Sequence, residues 1–198
     1  MPHILLPRIH NSVEIQWEDA VPESDLPDNY VRLGGLHGEP PVLSGPVKYR
    51  MHGGALNKGG TLPDILAGRW SSDVIVSSRV REIFDAHDRV SHHYIPLELE
   101  LKDGRRVKSH FLFVAGDRID GIDAEKSEVT PKIFGGKLGY YSVPARPVIC
   151  WKSDAINGRA IWVDRYLPRF FGISDELKSI FEHQNITRFS LLPSSVSG

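Results

Sequence analysis

The chain has 198 residues, 40% hydrophobic and 25% charged, so it is long enough for one hydrophobic core and has an ordinary globular composition. Its 24 lysine and arginine residues nearly balance 25 aspartate and glutamate residues, and the net charge of −1 gives no global field favouring nucleic acid or an anionic membrane. The single cysteine, Cys150, excludes an internal disulfide and fits a reducing compartment. No apolar run reaches membrane-spanning length, so a cytoplasmic protein is predicted.

Residues 1–69 are rich in proline and glycine, which remove hydrogen-bond donors and raise the entropy cost of ordering the backbone. Long regular elements are therefore not expected there, although a short strand such as 13–17 fits the pattern. The apolar residues of this segment, Trp17 and Tyr49 among them, need a buried environment. We predict an irregular segment packed on a main body formed by residues 70–193.

One helix-opening pattern occurs twice in the chain. In residues 76–85 and again in 173–182, a short apolar run ends at a serine that can accept a hydrogen bond from the first free amides of a helix. Apolar residues then recur at helical spacing. They are Val80, Ile83 and Phe84 in the first copy and Leu177, Ile180 and Phe181 in the second. Each copy predicts a strand, an N-cap and an amphipathic helix.

Alternating apolar residues between the two copies predict β-hairpins. Residues 94–101 alternate, Asp103-Gly104 is a strong turn signal, and 107–114 form the returning strand. A second hairpin is predicted to run from 148–151 to 160–163. The glycines of 135–139 mark a loop, 186–192 form the last strand, and 194–198 form a frayed tail. The predicted class is α+β, with antiparallel hairpins packed by two amphipathic helices.

The first hairpin supplies the candidates for partner binding. Glu98, Glu100 and Asp103 form an acidic stripe on one face, and carboxylates fixed on a rigid strand can steer a basic protein surface. The alternative is a solvated sheet face whose charges protect an edge from aggregation. Trp70, at the junction with the main body, is the aromatic residue that we expect to anchor a partner, because aromatic residues concentrate at interface hot spots.

Three histidines, His92, His93 and His110, suggest a metal site, because the predicted hairpin brings them near one another. Their spacing matches neither a helical His-x-x-x-His pair nor a Cys-His knuckle. We therefore predict no metal site and no catalytic residue, and a metal-dependent or small-molecule enzyme using this region is the alternative. The neighbouring Asp85 and Asp88 are interpreted as part of a solvated helix face.

Neither the glycine-rich segments nor the cysteine gives a better candidate for chemistry. Residues 51–61 lack the Gly-Lys-Ser/Thr order of a phosphate-binding loop, and 135–139 lack the Gly-x-Gly-x-x-Gly spacing of a dinucleotide fold. Cys150 falls at an ordinary interior position of an alternating strand. No cofactor is predicted, and the residues alone predict a fold but no reaction.

Several short motifs together resemble a known family. They lie in the two strand-helix units, in the first hairpin and in the segments beside it. The motifs are Leu62-Pro63-Asp64-Ile65-Leu66, Asp73-Val74-Ile75-Val76-Ser77-Ser78-Arg79-Val80-Arg81-Glu82, His93-Tyr94-Ile95-Pro96-Leu97-Glu98-Leu99, Asp103-Gly104, Arg118-Ile119-Asp120-Gly121-Ile122-Asp123, Lys126-Ser127 and Ile173-Ser174-Asp175-Glu176-Leu177-Lys178. Over residues 62–192 this pattern resembles the immunity-protein-eleven family of bacterial polymorphic toxin systems.

The resemblance implies a cytoplasmic, non-enzymatic antidote that binds a cognate toxin domain and blocks its active site or a movement that it needs. It supplies no catalytic residues and no interface residues. A strongly acidic inhibitor that mimics nucleic acid is not supported by the net charge of −1. The implied partner is a protein, with neither nucleic acid nor a membrane. A structural subunit that self-associates through an exposed hairpin edge is a further alternative.

Overall fold

The computed structural model describes residues 1–7, 16–19, 46–54, 56–57, 59–68 and 74–198. The chain is mainly β-structure with few helices, which confirms the predicted α+β class. The helices are α1 (Ser78–His87), α2 (Ser153–Ile156) and α3 (Asp175–His183). The strands are β1 (His3–Pro7), β2 (Gln16–Asp19), β3 (Val47–Gly53), β4 (Ile65–Ala67), β5 (Val74–Ser77), β6 (His93–Glu100), β7 (Arg106–Val107), β8 (His110–Val114), β9 (Arg118–Ile119), β10 (Thr130–Phe134), β11 (Lys137–Ser142), β12 (Cys150–Lys152), β13 (Ile161–Asp164), β14 (Leu167–Ile173), β15 (Phe189–Pro193) and β16 (Ser195–Ser197).

The larger sheet has the strand order β2-β3-β6-β8-β5-β4, and β7 also pairs with β6. Its centre is the first predicted hairpin, because β6 runs antiparallel to both β7 and β8. The opposite edge of β6 pairs in parallel with β3, which belongs to the proline- and glycine-rich N-terminal segment. That segment therefore contributes regular strands to the sheet.

The smaller sheet has the strand order β15-β1-β14-β13-β9. β1, near the start of the chain, lies between β15 and β14 and is antiparallel to both. β13 pairs antiparallel with β14 and in parallel with β9. Strands from residues 1–69 thus lie in both sheets beside strands from residues 70–193.

The two echoed units form the strand, cap and helix that the sequence predicts. Ser77 Oγ accepts from the backbone amide of Val80 at 3.4 Å, and Ser174 Oγ accepts from that of Leu177 at 3.1 Å. Each cap satisfies one of the amides that the first helical turn leaves free. The apolar stripe of each helix then packs into one shared core.

Equivalent residues of the two units meet in this core. Phe84 of α1 and Phe181 of α3 occupy the same place in the repeated pattern, and their ring centroids lie 5.9 Å apart. Both side chains are almost completely buried. The internal echo therefore makes the two helices pack through matching faces.

A second core lies on the side of the larger sheet that faces away from the first. The inward residues of β6 line it together with Val47 and Tyr49 of β3. Those β6 residues and the one that follows the strand are Ile95, Leu97, Leu99 and Leu101. Their burial alternates with exposed or half-buried neighbours, as predicted for a half-buried strand. The polar residues of β6 are thereby fixed on one outward face.

The end of the chain, expected to be frayed, contains β16, which pairs in parallel with β12. Trp151 of β12 is completely buried, and its Nε1 donates to Ser194 Oγ at 3.1 Å. The ring centroid of Trp162 lies 5.7 Å from that of Trp151 in an edge-to-face arrangement. The tail is ordered because the backbone of β12 and a buried tryptophan both need partners.

Two predictions about the middle of the chain are wrong. β12 and β13 do not form a hairpin, because α2 separates them and each pairs with other strands. The glycines of 135–139 do not mark a loop but lie in a hairpin formed by β10 and β11. Gly135 and Gly136, at φ of 56° and 78°, form its two-residue turn, which requires left-handed backbone at both positions.

Candidate partner-binding site

The structure places the predicted acidic residues together on one hairpin. Glu98 and Glu100 lie on β6, and Asp103 lies in the turn that leads to β7. Trp70, the predicted aromatic anchor, lies outside the described residues. The outward side of this region also carries cations from the neighbouring strands. We name this surface the charged face; its residues are Lys48, Arg50, Glu98, Glu100, Arg106 and Lys108.

The carboxylates of the charged face are paired with these cations. Arg50 Nε donates to Glu100 Oε1 at 2.9 Å. Arg106 Nη1 lies 3.2 Å from Glu98 Oε1, and Lys108 Nζ lies 3.4 Å from Glu98 Oε2. Glu100 lies directly opposite Arg50 on one side and Arg106 on the other, which explains the Arg50–Glu100 pair. Arg106 also lies between the two carboxylates, with Nη2 3.9 Å from Glu100 Oε2.

The cations of the charged face are more exposed than its carboxylates. The side chains of Glu98 and Glu100 are 15% and 29% exposed, whereas those of Arg106 and Lys108 are 62% and 73% exposed. A partner would therefore meet a surface of mixed charge with its cations outermost. This differs from the purely acidic face that alternation within one strand predicts.

The turn at the end of the charged face is held by hydrogen bonds. The backbone amide of Arg105 donates to Asp103 Oδ1 at 3.1 Å, and its Nε donates to Oδ2 at 2.7 Å. These two bonds, the backbone one foremost, hold the pKa of Asp103 below its usual value. Arg105 Nη2 also donates to the carbonyl oxygen of Gly60 at 3.0 Å, which ties the turn to the 59–62 segment.

The histidine region is an internal network. His92 Nε2 lies 3.1 Å from Asp88 Oδ2, and the backbone amide of Gly116 donates to His92 Nδ1 at 3.3 Å. Because Nδ1 accepts, the ring proton lies on Nε2 and is donated to Asp88. The Asp88 side chain is completely buried, so its interpretation as part of a solvated helix face is wrong. Burial opposes ionisation of Asp88, but hydrogen bonds from His92, Ile161 and Val90 outweigh it and lower its pKa.

Both ring nitrogens of His110 also have hydrogen-bond partners within the chain. Its Nε2 donates to the carbonyl oxygen of Pro63 at 2.9 Å, and the Ser109 hydroxyl lies 3.3 Å from Nδ1. Neither His92 nor His110 therefore has a free lone pair for a metal ion. Within the described ranges, no three His, Cys, Asp or Glu side chains are placed to hold one. Cys150 is buried, which removes the access that a reactive thiol needs.

Acidification is expected to destabilise the protein through His110. Burial lowers the pKa of His110, and this outweighs the opposite effects of the bond to Pro63 and the nearby Asp64. The unfolded chain therefore binds a proton near pH 6.5, while the folded chain binds it only at lower pH. The free energy of unfolding, measured by urea titration, should fall as the pH drops from 6.5 towards the lowered pKa. His110→Gln, which keeps a donor for Pro63, should flatten that fall.

The control for this pH experiment is His52→Gln, which changes an exposed histidine of β3. We expect it to keep the pH dependence of the wild type, because replacing this exposed side chain leaves the buried contacts of His110 unchanged. Identical slopes for the wild type and His110→Gln would show that His110 does not produce the acid sensitivity.

A set of exposed apolar side chains on the β10–β11 hairpin was not predicted from the sequence. Ile133, Phe134 and Tyr140 are among the exposed large hydrophobic residues of the described part. The signal was present, since a two-residue Gly-Gly turn between strand-forming residues is typical of a β-hairpin.

This α+β domain has the charged face on its first hairpin and exposed apolar side chains on the β10–β11 hairpin, and the rings of His92 and His110 form internal hydrogen bonds. The Immunity protein family (Imm11) matches residues 10–195, nearly the whole chain, and the protein belongs to that family. Among curated proteins, no relative matches the chain. Of the helices in the described ranges, none has the length and apolar character that crossing a membrane requires.

Proposed function

We propose that this protein is a cytoplasmic immunity protein that neutralises a cognate bacterial toxin domain by direct protein–protein contact, without catalysis of its own. The observation that carries the proposal is the match to the Immunity protein family (Imm11) over residues 10–195. The buried hydrogen bonds of His92 and His110 support a non-catalytic role, because they engage these rings in holding the fold.

The charged face is the contact surface that we propose from the first hairpin, with Asp103 at its end. We propose Trp70, which lies outside the described residues, as an aromatic anchor for the same partner. The ion pairs of the charged face hold its side chains in fixed positions across three strands. A fixed pattern of both signs favours orientation and specificity over bulk attraction. The cognate toxin would carry carboxylates opposite the exposed cations and cations opposite the carboxylates.

Co-expression tests the function directly. The toxin domain encoded beside this chain's gene is produced in bacteria with and without the immunity protein, and survival and co-purification are scored. Rescue together with a stable complex is the expected result. Death of the cells despite folded immunity protein and active toxin would contradict the proposal.

Charge reversal tests the contact surface. Glu98→Lys with Glu100→Lys replaces both carboxylates by cations. These would repel the toxin cations that we place opposite Glu98 and Glu100, so we expect toxin affinity to fall by at least about tenfold. Isothermal titration measures the affinity, and urea unfolding checks that the variant is folded. Asp154→Lys, an exposed carboxylate of α2, is the control.

The neutral variant Glu98→Gln with Glu100→Gln accompanies the reversal, because it keeps the side-chain shape and removes only the charge. Toxin affinity equal to that of the wild type in both folded double variants would remove the charged face from the interface. Loss of affinity in Asp154→Lys as well would indicate a non-specific charge effect.

A further inference from the structure

The β10–β11 hairpin, residues 130–142, is a two-stranded arm. Its strands pair only with each other in the described structure, and Gly135-Gly136 turns the chain at the tip. The base is anchored, because the Tyr141 amide donates to the carbonyl oxygen of Tyr166 at 2.7 Å. The Tyr141 ring also packs against a third apolar core, which contains Trp151 and Trp162. These contacts fix the base of the hairpin on the rest of the domain, and the tip projects from it.

Large apolar side chains are concentrated on this arm. Ile133 is 56% exposed, Phe134 is 62% exposed and Tyr140 is 46% exposed. Single exposed apolar residues are ordinary on a protein surface, but Phe134 and Tyr140 lie on the same face of the ribbon and contact each other there. Apolar side chains stabilise a fold in proportion to the surface that they bury, so these exposed residues contribute little to folding.

The aromatic residues of the arm are held in place before any partner binds. The ring centroids of Phe134 and Tyr140 lie 5.9 Å apart. Phe134 covers Gly139, where a Cβ atom would lie only 2.4 Å from its ring. A preorganised aromatic pair loses little conformational entropy when it enters a partner, which favours tight binding.

The arm and the residues that follow it directly in the chain carry charges of one sign. Residues 130–147 contain Lys132, Lys137 and Arg146 and no acidic residue, although the whole chain has a net charge of −1. No ion pair joins any of the three to a residue that the structure describes. This unpaired local charge complements carboxylates on a partner.

We propose that the 130–142 arm is an anchor for the cognate toxin domain, inserting Phe134 and Tyr140 into an apolar cleft whose rim carries aspartate or glutamate. This inference rests on the proposed function and adds to it a contact surface separate from the charged face. The apolar pair provides the affinity at the centre, and the lysines fix the orientation at the rim.

Calorimetric titration against the toxin domain encoded beside this chain's gene tests the arm. Phe134→Ala with Tyr140→Ala removes two buried anchors in the complex, and we expect the Kd to rise about 100-fold or more. Lys132→Glu with Lys137→Glu should also weaken binding, with a smaller effect at high salt. Urea unfolding should show unchanged stability, because all four side chains are exposed in the free protein.

The controls are Val196→Ala, an exposed apolar residue of β16, and Lys178→Glu on α3; both should bind like the wild type. If the wild type binds the toxin and the arm variants bind equally well, the arm proposal is overturned while the proposed function stands. If the wild type does not bind the toxin, the arm proposal and the proposed function both fail. Sedimentation tests self-association. If the wild type is a dimer and the aromatic double variant is a monomer, the arm mediates self-association and the proposal is overturned.

Discussion

Replacing Asp88 with alanine is expected to lower the free energy of unfolding by about 3–5 kcal/mol, because three donors lose their acceptor inside the protein, at about 1–3 kcal/mol for each buried group left unsatisfied. The carboxylate is completely buried and accepts three hydrogen bonds. His92 Nε2 and the Ile161 amide share Oδ2, at 3.1 and 3.0 Å, and the Val90 amide donates to Oδ1 at 3.2 Å. Alanine leaves these donors without an acceptor in the protein interior. Urea titration at pH 7 measures the loss.

Asp88→Asn separates charge from shape in the same experiment. The amide keeps one acceptor, and its NH2 group faces a donor in either orientation: the Val90 amide, or His92 and the Ile161 amide. A loss should therefore remain. Glu82→Ala, at an exposed position of α1, should change the free energy of unfolding by no more than about 0.5 kcal/mol. A loss for Asp88→Ala as small as that control would show that the network does not stabilise the fold.

Patterns within a few residues predicted much of this fold. The cap and the 3.6-residue spacing of Val80, Ile83 and Phe84 predicted α1, and the alternation of 94–101 predicted β6, because each signal depends on neighbours in the chain. The parallel pairing of β3 with β6 has no local signal. A short strand at 13–17 was allowed for in the segment rich in proline and glycine, but β1 and β3 were not predicted, because their hydrogen-bond partners lie far away in the sequence.

The contrast between local patterns and contacts of distant residues also explains which features of the site were predicted. Alternation placed Glu98 and Glu100 on one face, but their cations come partly from β3, and Arg50 is separated from Glu100 by 50 residues. Asp88 was interpreted as solvated because the Ile161 amide of β13, which donates to its carboxylate, lies 73 residues further along the chain. The electrostatics of both regions depends on tertiary pairing, which residue spacing does not contain.

Replacing Phe181 with alanine is expected to lower the free energy of unfolding by about 3–5 kcal/mol, because a large buried side chain is lost and a cavity remains. The side chain is completely buried, and its ring centroid lies 5.9 Å from that of Phe84 and 5.3 Å from that of Phe189. It therefore joins α3 to α1 and to β15. Small domains are stable by only about 5–15 kcal/mol, so this loss is a large fraction of the total.

The matched control is Phe134→Ala, which removes the same side chain from an exposed position and should change the free energy of unfolding by no more than about 0.5 kcal/mol.

Phe84 and Phe181 are equivalent in the repeated unit and are in contact. The double variant Phe84→Ala with Phe181→Ala should therefore lose less free energy of unfolding than the sum of the two single variants, because the two side chains would leave one shared cavity. If Phe181→Ala is unfolded in buffer, Phe181→Leu measures the same contact with a smaller loss. Additive losses would mean that the two helices are stabilised separately, and the internal echo would then be a repeat of sequence without a shared packing role.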